Sequence, residues 1–180
     1  MAGDVKQRMA AGAAQLLARN GLQATSFSEV LEFTGAPRGS IYHHFPDGKD
    51  QLVAAALEIA GERATTLIEQ WHGRTPAEVT AAFLGVWRAV LTHSNFESGC
   101  AVVAVTVASD SPALISQSAE IFRGWRTQLA TLLAEGGHPS PDAFAALLVA
   151  ASEGAVVVAR AERSLDPFEL VAAQLVEQAG

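Results

Sequence analysis

The sequence predicts an all-α fold of about nine helices. Apolar residues recur at helical spacing in long segments, and no run of alternating polar and apolar residues suggests a sheet. Helix-start signals also recur, because a Thr, Ser or Asp stands directly before a proline at several places. The predicted helices are residues 4–20, 27–34, 37–44, 48–72, 76–94, 100–109, 112–135, 141–163 and 167–178.

The first three helices follow from local signals. Arg19 and Asn20 precede Gly21, which is a basic last turn followed by a usual helix stop. Ser26 and Glu29 have the spacing of a capping box, which predicts the start of the second helix. The third helix is entered through a glycine turn, with Pro37 at its first position.

The later helices share one start signal, a cap residue followed by proline. It occurs at Thr75-Pro76, Ser111-Pro112, Ser140-Pro141 and Asp166-Pro167. The stretch CAVVAVTVA, Cys100–Ala108, is rich in β-branched residues and would also suit a buried strand. Because no partner strand is evident, we predict a short buried helix there.

Bulk composition predicts a protein without a membrane span. The apolar content is 49%, but the longest apolar runs are far shorter than the roughly 20 residues that cross a bilayer. The N-terminus lacks a secretory signal pattern, and the single cysteine excludes an internal disulfide. We therefore expect a cytoplasmic protein with no membrane partner, and the high apolar content favours an oligomer.

The net charge of −7 is unevenly distributed. Residues 1–50 carry five basic and five acidic side chains, so the whole negative charge lies in residues 51–180. A neutral head can contact phosphates through a few focused groups, while an acidic body disfavours indiscriminate binding to DNA.

The third helix has two chemically different sides. Ile41 and Phe45 lie four residues apart on one side, which predicts that this side faces a core. The opposite side carries Arg38, Gly39, Tyr42 and His43, with Ser40 and His44 at its flanks. A short helix with a turn before it and an arginine near its start suits insertion into a DNA major groove.

The segment TSFSEVLEFTGAPRGSIYHHFPDGKDQL, Thr25–Leu52, resembles the helix-turn-helix head of the TetR family of repressors. Together with ESGCAVVAV, Glu97–Val105, it is similar to the LmrA/YxaF-type subgroup. The resemblance implies a DNA-binding domain at residues 1–47 and a ligand-binding and dimerisation domain at residues 48–180. It implies base contacts from Arg38, Gly39 and Ser40, and phosphate contacts from Thr25, Tyr42, His43, His44 and Lys49.

The fifth and seventh helices carry aromatic stripes. Phe83 and Trp87 share a face of the fifth helix, and Phe122 and Trp125 share a face of the seventh. Such stripes are either packed core or the wall of a cavity for a hydrophobic, weakly charged ligand. The candidate ligand-binding residues are Trp71, Phe83, Trp87, Phe96, Cys100, Phe122 and Trp125.

The last two helices are apolar around most of their circumference and rich in small residues. A helix of this kind must be covered on more than one side. Pairing of both helices with a second copy predicts a homodimer, in which Val157→Glu or Leu175→Glu would bury a charge. The alternative is a central core helix.

Other chemistries have weaker support in the sequence. A metal site at His43 and His44 lacks a carboxylate or cysteine at ligand spacing, and Cys100 has no basic neighbour that would make it a redox sensor. No nucleotide loop or catalytic motif occurs, so we predict no enzyme, no cofactor and no metal.

Our prediction is a ligand-responsive repressor that binds a palindromic operator as a dimer and is released by a small hydrophobic effector. The alternatives are a DNA-binding regulator without small-molecule control and an all-helical ligand-binding protein or enzyme.

Overall fold

The computed structural model describes residues 2–180, and the regular structure in this range is helical throughout. This confirms the predicted all-α class, with the predicted number of helices. They are α1 (Ala2–Ala24), α2 (Phe27–Thr34), α3 (Arg38–His44), α4 (Lys49–Glu69), α5 (Pro76–His93), α6 (Ala101–Ala108), α7 (Pro112–Glu135), α8 (Pro141–Glu162) and α9 (Asp166–Ala179).

Capping boxes fix the starts of α2 and α5, as their sequence signals predict. The Ser26 hydroxyl accepts the Glu29 N–H at 3.3 Å, and the Glu29 carboxylate accepts the Ser26 N–H at 3.0 Å. At α5 the corresponding distances between Thr75 and Glu78 are 3.3 and 2.9 Å. The hydrogen bond from the Thr75 backbone lowers the pKa of Glu78.

One predicted cap is wrong, and another lacks its side-chain hydrogen bond. Ser140 lies directly before α8, as predicted, but its side chain makes no capping bond, and its own N–H donates to His138 Nδ1 at 3.1 Å. Asp166 is the first residue of α9 instead of its cap. Its N–H donates to the Ser164 hydroxyl at 3.1 Å, so the preceding loop supplies the acceptor two residues earlier.

Gly21 interrupts α1 as predicted, although three further residues continue in helical conformation to Ala24. Its φ of 79° lies in the left-handed region, which glycine adopts without a steric penalty. The chain therefore kinks at Gly21 just before it enters α2.

The first compact unit contains the residues up to Arg63 together with Cys100–Ile121. In it, α1 packs against α2, α3 and α6, and α2 packs against α3. Met9 and Leu17 of α1 are fully buried. The stretch from Cys100 to Ala108 forms α6 with buried Val102 and Val105, which confirms the predicted short buried helix.

Gly12 allows α1 and α2 to approach closely. A Cβ atom at this position would overlap the Thr34 methyl group and touch the Phe33 ring at 3.3 Å. The absence of a side chain is therefore a packing requirement of the first unit.

The second compact unit contains Ala64–Gly99 and Phe122–Gly180. In it, α5 packs against α8 and α9, which also pack against each other, with Phe168 of α9 fully buried. The Arg88 guanidinium of α5 forms a two-pronged ion pair with the Glu169 carboxylate of α9, at 2.5 and 2.8 Å. A bidentate ion pair of this kind stabilises the packing of α5 on α9 more than an ion pair with one hydrogen bond would.

The compact units do not follow the predicted division at residue 47. The first unit contains residues 2–47, but also α6 and parts of α4 and α7. The packing of α6 on α1 could not be predicted from the order of the helices, because residues 48–99 separate the predicted DNA-binding domain, residues 1–47, from α6. The division into domains at 1–47 and 48–180 stays a prediction about function.

Candidate DNA-binding surface

The outward face of α3 is polar and open. Gly35 ends α2 in the left-handed conformation, at φ 63°, and Pro37 precedes α3. Ile41 and Phe45 are buried, as predicted, so they anchor α3 to the first unit. The exposed residues of α3 are Arg38, Gly39, Tyr42 and His43.

Arg38 begins this face and has no hydrogen-bond or ion-pair partner among residues 2–180. A Cβ atom at the adjacent Gly39 would meet nothing within 4 Å. The start of α3 therefore offers a free guanidinium beside a position without a side chain, which leaves room for the edge of a base pair.

Tyr42 is held by an aromatic contact. Its ring packs edge-to-face on Phe27 of α2, with ring centroids 5.6 Å apart, while 68% of the residue is exposed. The sequence did not predict this contact between Phe27 and Tyr42. The pairing gives the phenol a defined direction.

His43 and His44 lie edge to face, with ring centroids 5.1 Å apart. His43 is exposed and His44 is half-buried. Among the described residues, no group of three His, Cys, Asp or Glu side chains is placed to hold a metal ion. The arrangement offers ring N–H groups at the flank of α3.

Ser40 is occupied within its own helix turn. Its hydroxyl donates to the Pro37 carbonyl at 2.6 Å, and its oxygen lies 3.9 Å from the Met9 sulfur. Contact with a base would have to use the hydroxyl lone pairs or exchange this hydrogen bond.

Thr25 does not lie on this surface, which corrects its prediction as a phosphate contact. The residue is only 1% exposed, and its hydroxyl donates to the Gly21 carbonyl at 2.8 Å. Thr25 therefore closes the turn after the kink in α1, and its side chain cannot reach a phosphate without breaking that turn.

Lys49, the first residue of α4, makes a hydrogen bond within the protein, in addition to the phosphate contact predicted for it. Its ammonium group donates to the Leu22 carbonyl at 2.6 Å, and the residue is half-buried. An ammonium group has three N–H donors, so two remain for a phosphate. Lys49 links the end of α1 to the start of α4.

The aromatic residues predicted to bind a ligand are mostly buried. In the second unit, Trp71 packs edge-to-face on Phe83 at 6.5 Å, and Phe122 packs on Trp125 at 5.5 Å. Trp87 is buried as well, while Phe96 and Phe122 are half-buried. These contacts suit both a packed core and the wall of a closed pocket.

Phe96 lies in a strained loop. Phe96 and the preceding Asn95 both have positive φ angles, 64° and 52°, which are unusual for residues other than glycine. Arg163 of α8 donates to the Asn95 carbonyl at 3.2 Å, and Arg160 donates to the Glu97 carbonyl at 3.0 Å. No sequence signal predicts these two hydrogen bonds, which join residues far apart in the chain.

Cys100 belongs to the first unit, whereas the other six predicted ligand-binding residues belong to the second. Its sulfur accepts the Val103 N–H at 3.5 Å and so caps α6. The thiol is buried, which is typical of a structural cysteine and unlike an accessible redox sensor.

The open face of α3, presented after the glycine turn that ends α2, is that of a helix-turn-helix protein that binds DNA. Sequence profiles give the family. The profile "Bacterial regulatory proteins, tetR family" matches residues 10–56, and "Transcriptional regulator LmrA/YxaF-like, C-terminal domain" matches residues 76–174. The chain belongs to the TetR family of bacterial transcriptional regulators, and it is a DNA-binding regulator of transcription rather than an enzyme.

Two relatives are similar in sequence over almost the whole length of this chain. The HTH-type transcriptional regulator Rv0196 of Mycobacterium tuberculosis is 35% identical over 94% of this chain and 91% of its own length. YxaF of Bacillus subtilis is 28% identical over 96% of this chain and 94% of its own length.

Solved structures agree on the fold. A TetR regulatory protein from Rhodobacter sphaeroides superposes with a TM-score of 0.86 at 20% identity, covering 96% of this chain and 97% of that one. A TetR regulator from Chloroflexus aurantiacus gives 0.81 at 27% identity, covering 98% and 94%.

Proposed function

We propose that the protein is a ligand-responsive repressor that binds a palindromic operator as a dimer and leaves it when a small hydrophobic effector binds. The proposal rests chiefly on one observation: a DNA-binding head and a second unit with several large, buried aromatic side chains occur in one chain. An effector that prefers one conformer of the second unit would shift the equilibrium of the whole protein.

At the operator, Arg38 would read a guanine, with the backbone at Gly39 and the hydroxyl of Ser40 close to base edges. Tyr42, His43, His44 and Lys49 would contact phosphates. The free guanidinium of Arg38 and the fixed direction of Tyr42 support this division of roles.

A second copy of the chain would cover the exposed stripe on α8. The residues of this stripe are apolar and recur mainly at spacings of three and four, with Val157 and Val158 adjacent. The stripe contains Ala143, Leu147, Ala150, Gly154, Val157, Val158 and Ala161. A Cβ atom at Gly154 would meet nothing within 4 Å, which leaves room for the close approach of a partner helix.

The contribution of α9 to the dimer comes from a different residue than the sequence indicated. Leu175 is only 3% exposed, so it belongs to the protomer core and Leu175→Glu would unfold the chain instead of separating copies. Leu170 is 72% exposed and offers an apolar side chain on α9, the helix that packs against α8. In a two-fold symmetric dimer, α8 and α9 of one protomer would be buried against α8 and α9 of the other.

Helix α8 is also the one helix among the described residues that is long and apolar enough to cross a membrane. Burial in the protomer accounts for 44% of its apolar window, and a partner copy would cover the exposed stripe. We place the protein in the cytoplasm, where a DNA-binding regulator works.

The rival function is a DNA-binding regulator without small-molecule control. The edge-to-face contacts of Trp71 with Phe83 and of Phe122 with Trp125 favour it, because they are what a packed core would contain.

Two experiments test the proposed function in sequence. Selection of bound duplexes from a random pool should yield a near-palindrome with half-sites about one helical turn or somewhat more apart. Hydrophobic compounds should then be screened by quenching of tryptophan fluorescence, and each hit added to the protein–operator complex. Hits that bind and leave the complex intact would favour the rival function.

A further inference from the structure

Two buried polar atoms on α5 have no hydrogen-bond partner among residues 2–180. Thr80 is 0% exposed and Trp87 is 9% exposed, and neither the Thr80 hydroxyl nor the Trp87 indole N–H has a hydrogen bond within the described residues. The side-chain oxygen of Gln128, on α7 in the same unit, is likewise buried and without a partner. Buried polar groups are satisfied in the great majority of cases, so this concentration calls for an explanation.

Thr80 differs from four other threonines that lie in helices. The hydroxyls of Thr34, Thr92, Thr106 and Thr131 each donate to the carbonyl four residues earlier, at 2.6 to 3.0 Å. Thr80 also lies in a helix, but it does not make this bond. Its hydroxyl is therefore buried without a hydrogen bond to its own backbone.

Thr80 and Trp87 lie on one face of α5. They are seven residues apart, which is about two helical turns or roughly 10 Å along the axis. Phe83, which is also buried, lies between them on the same side. The face is therefore an apolar aromatic surface with a hydroxyl at one end and an N–H donor at the other.

We propose that the effector is an uncharged aromatic molecule with a hydrogen-bond acceptor, and that this acceptor takes the indole N–H of Trp87. The inference rests on the proposed function, because it assigns the chemistry of the same effector. The indole can only donate, so its partner must be a lone pair on a carbonyl, ether or hydroxyl oxygen. The Thr80 hydroxyl binds a second polar group when the ligand has one.

The effector is uncharged because α5 carries no charged side chain between Thr80 and Trp87, and an unpaired ion is costly to bury. Both orphaned atoms are out of contact with solvent in this conformation. The neighbouring side chains must therefore move before a ligand can reach them, which makes binding selective for one conformer.

The first test asks whether the Thr80 hydroxyl lacks a partner in solution. Thr80→Val removes the hydroxyl at nearly constant volume, and the melting temperature should stay the same or rise because an orphaned group is lost. Thr106→Val is the control, since the Thr106 hydroxyl donates to the Val102 carbonyl at 2.7 Å. A larger fall in Tm for Thr80→Val than for Thr106→Val would overturn the inference.

The second test uses aromatic ketones and their hydrocarbon analogues as probes: benzophenone with diphenylmethane, and 2-acetylnaphthalene with 2-ethylnaphthalene. Calorimetry should show that the wild type binds a ketone roughly 3- to 10-fold more tightly than its analogue, which is the value of one net hydrogen bond. Trp87→Phe should abolish this preference, whereas Trp71→Phe should keep it.

The outcomes separate the two proposals. Equal affinity of the wild type for both members of each pair, or a preference that survives Trp87→Phe, overturns the role of Trp87 and leaves the pocket standing. Failure of all four compounds to bind overturns the proposed hydrophobic effector, and the assignment of Trp87 with it.

Discussion

Arg38 and Lys49 carry the same charge but have different surroundings, so their loss should differ. Arg38→Ala should cost about 1 to 3 kcal/mol in operator binding and relax the preference for one base, because its guanidinium is free to pair with guanine. Binding to the selected operator and to single-base variants, measured by fluorescence anisotropy, provides the check. An equal loss on every sequence would contradict a base-reading role.

Lys49→Ala should weaken binding to all sequences alike and flatten the dependence of affinity on salt. Its contact with the Leu22 carbonyl adds a second effect, because the ends of α1 and α4 lose a link. Lys49→Gln keeps a donor for Leu22 and removes the charge, so it separates the two contributions. A salt slope that equals that of the wild type in both variants would exclude a phosphate contact.

The ion pair between Arg88 and Glu169 should make stability depend on pH. The hydrogen bond from Arg88 lowers the pKa of Glu169, so the pair stabilises the fold above the ordinary carboxylate pKa. This contribution is lost as the pH falls through the lowered pKa of the folded state. Since the Glu169 side chain is 43% exposed, screening limits it to about 0.5 to 1 kcal/mol.

Urea unfolding of Glu169→Gln at fixed protein concentration measures this contribution. The variant should be less stable than the wild type at about pH 7, and the difference should shrink as the pH falls through the lowered pKa of Glu169. Glu120→Gln is the control, because Glu120 is exposed and unpaired among the described residues. A deficit that persists unchanged at low pH would mean that packing, and not the ion pair, is lost.

At the scale of elements, Gly12 decides how closely α1 and α2 pack. Gly12→Ala should destabilise the protein by about 1 to 3 kcal/mol, because the added methyl group overlaps Thr34. Gly124→Ala on α7 should instead stabilise it by about 0.5 to 1 kcal/mol, since a Cβ atom there meets nothing within 4 Å. Equal effects of the two substitutions on thermal unfolding would refute the packing role.

The exposed stripe of α8 predicts the effect of a single charge. Val157→Glu should convert the dimer to monomers at micromolar concentration, because an unpaired carboxylate would be buried between two copies. Val107→Glu is the matched control, since Val107 is an exposed valine on α6, outside the stripe. If sedimentation shows a dimer for Val157→Glu as for Val107→Glu, the interface lies elsewhere.

Local signals predicted most helix starts and the two sides of α3. Ser26 with Glu29 and Thr75 with Glu78 succeeded because a capping box involves only four consecutive residues. Asp166 failed because the loop brought the Ser164 hydroxyl to its N–H.

Side-chain direction at kinks and on evenly apolar helices was harder to predict. Thr25 points inward because of the kink at Gly21, and a kink is not part of a helical repeat. Leu175 was placed in the dimer interface because α9 is apolar on most sides, so its repeat does not distinguish core from exterior.

At the scale of the whole molecule, contacts between distant segments account for what the sequence could not predict. The packing of α6 on α1 and the arginine hydrogen bonds to the loop before α6 join residues far apart in the chain. That the Trp87 N–H has no hydrogen-bond partner in the described part of the chain likewise follows only from the three-dimensional positions of its neighbours. Control by a ligand would use such contacts, because it must link sites in different parts of the chain.

The affinity of the protein for its operator, measured by fluorescence anisotropy across a titration of a compound that quenches tryptophan fluorescence, tests the central claim most directly. A ligand-responsive repressor should lose about 5- to 150-fold in operator affinity, corresponding to about 1 to 3 kcal/mol of coupling. Saturating operator must weaken binding of the compound by the same factor, because the coupling is reciprocal. Tight binding of the compound with unchanged operator affinity would contradict the account and leave a regulator without small-molecule control.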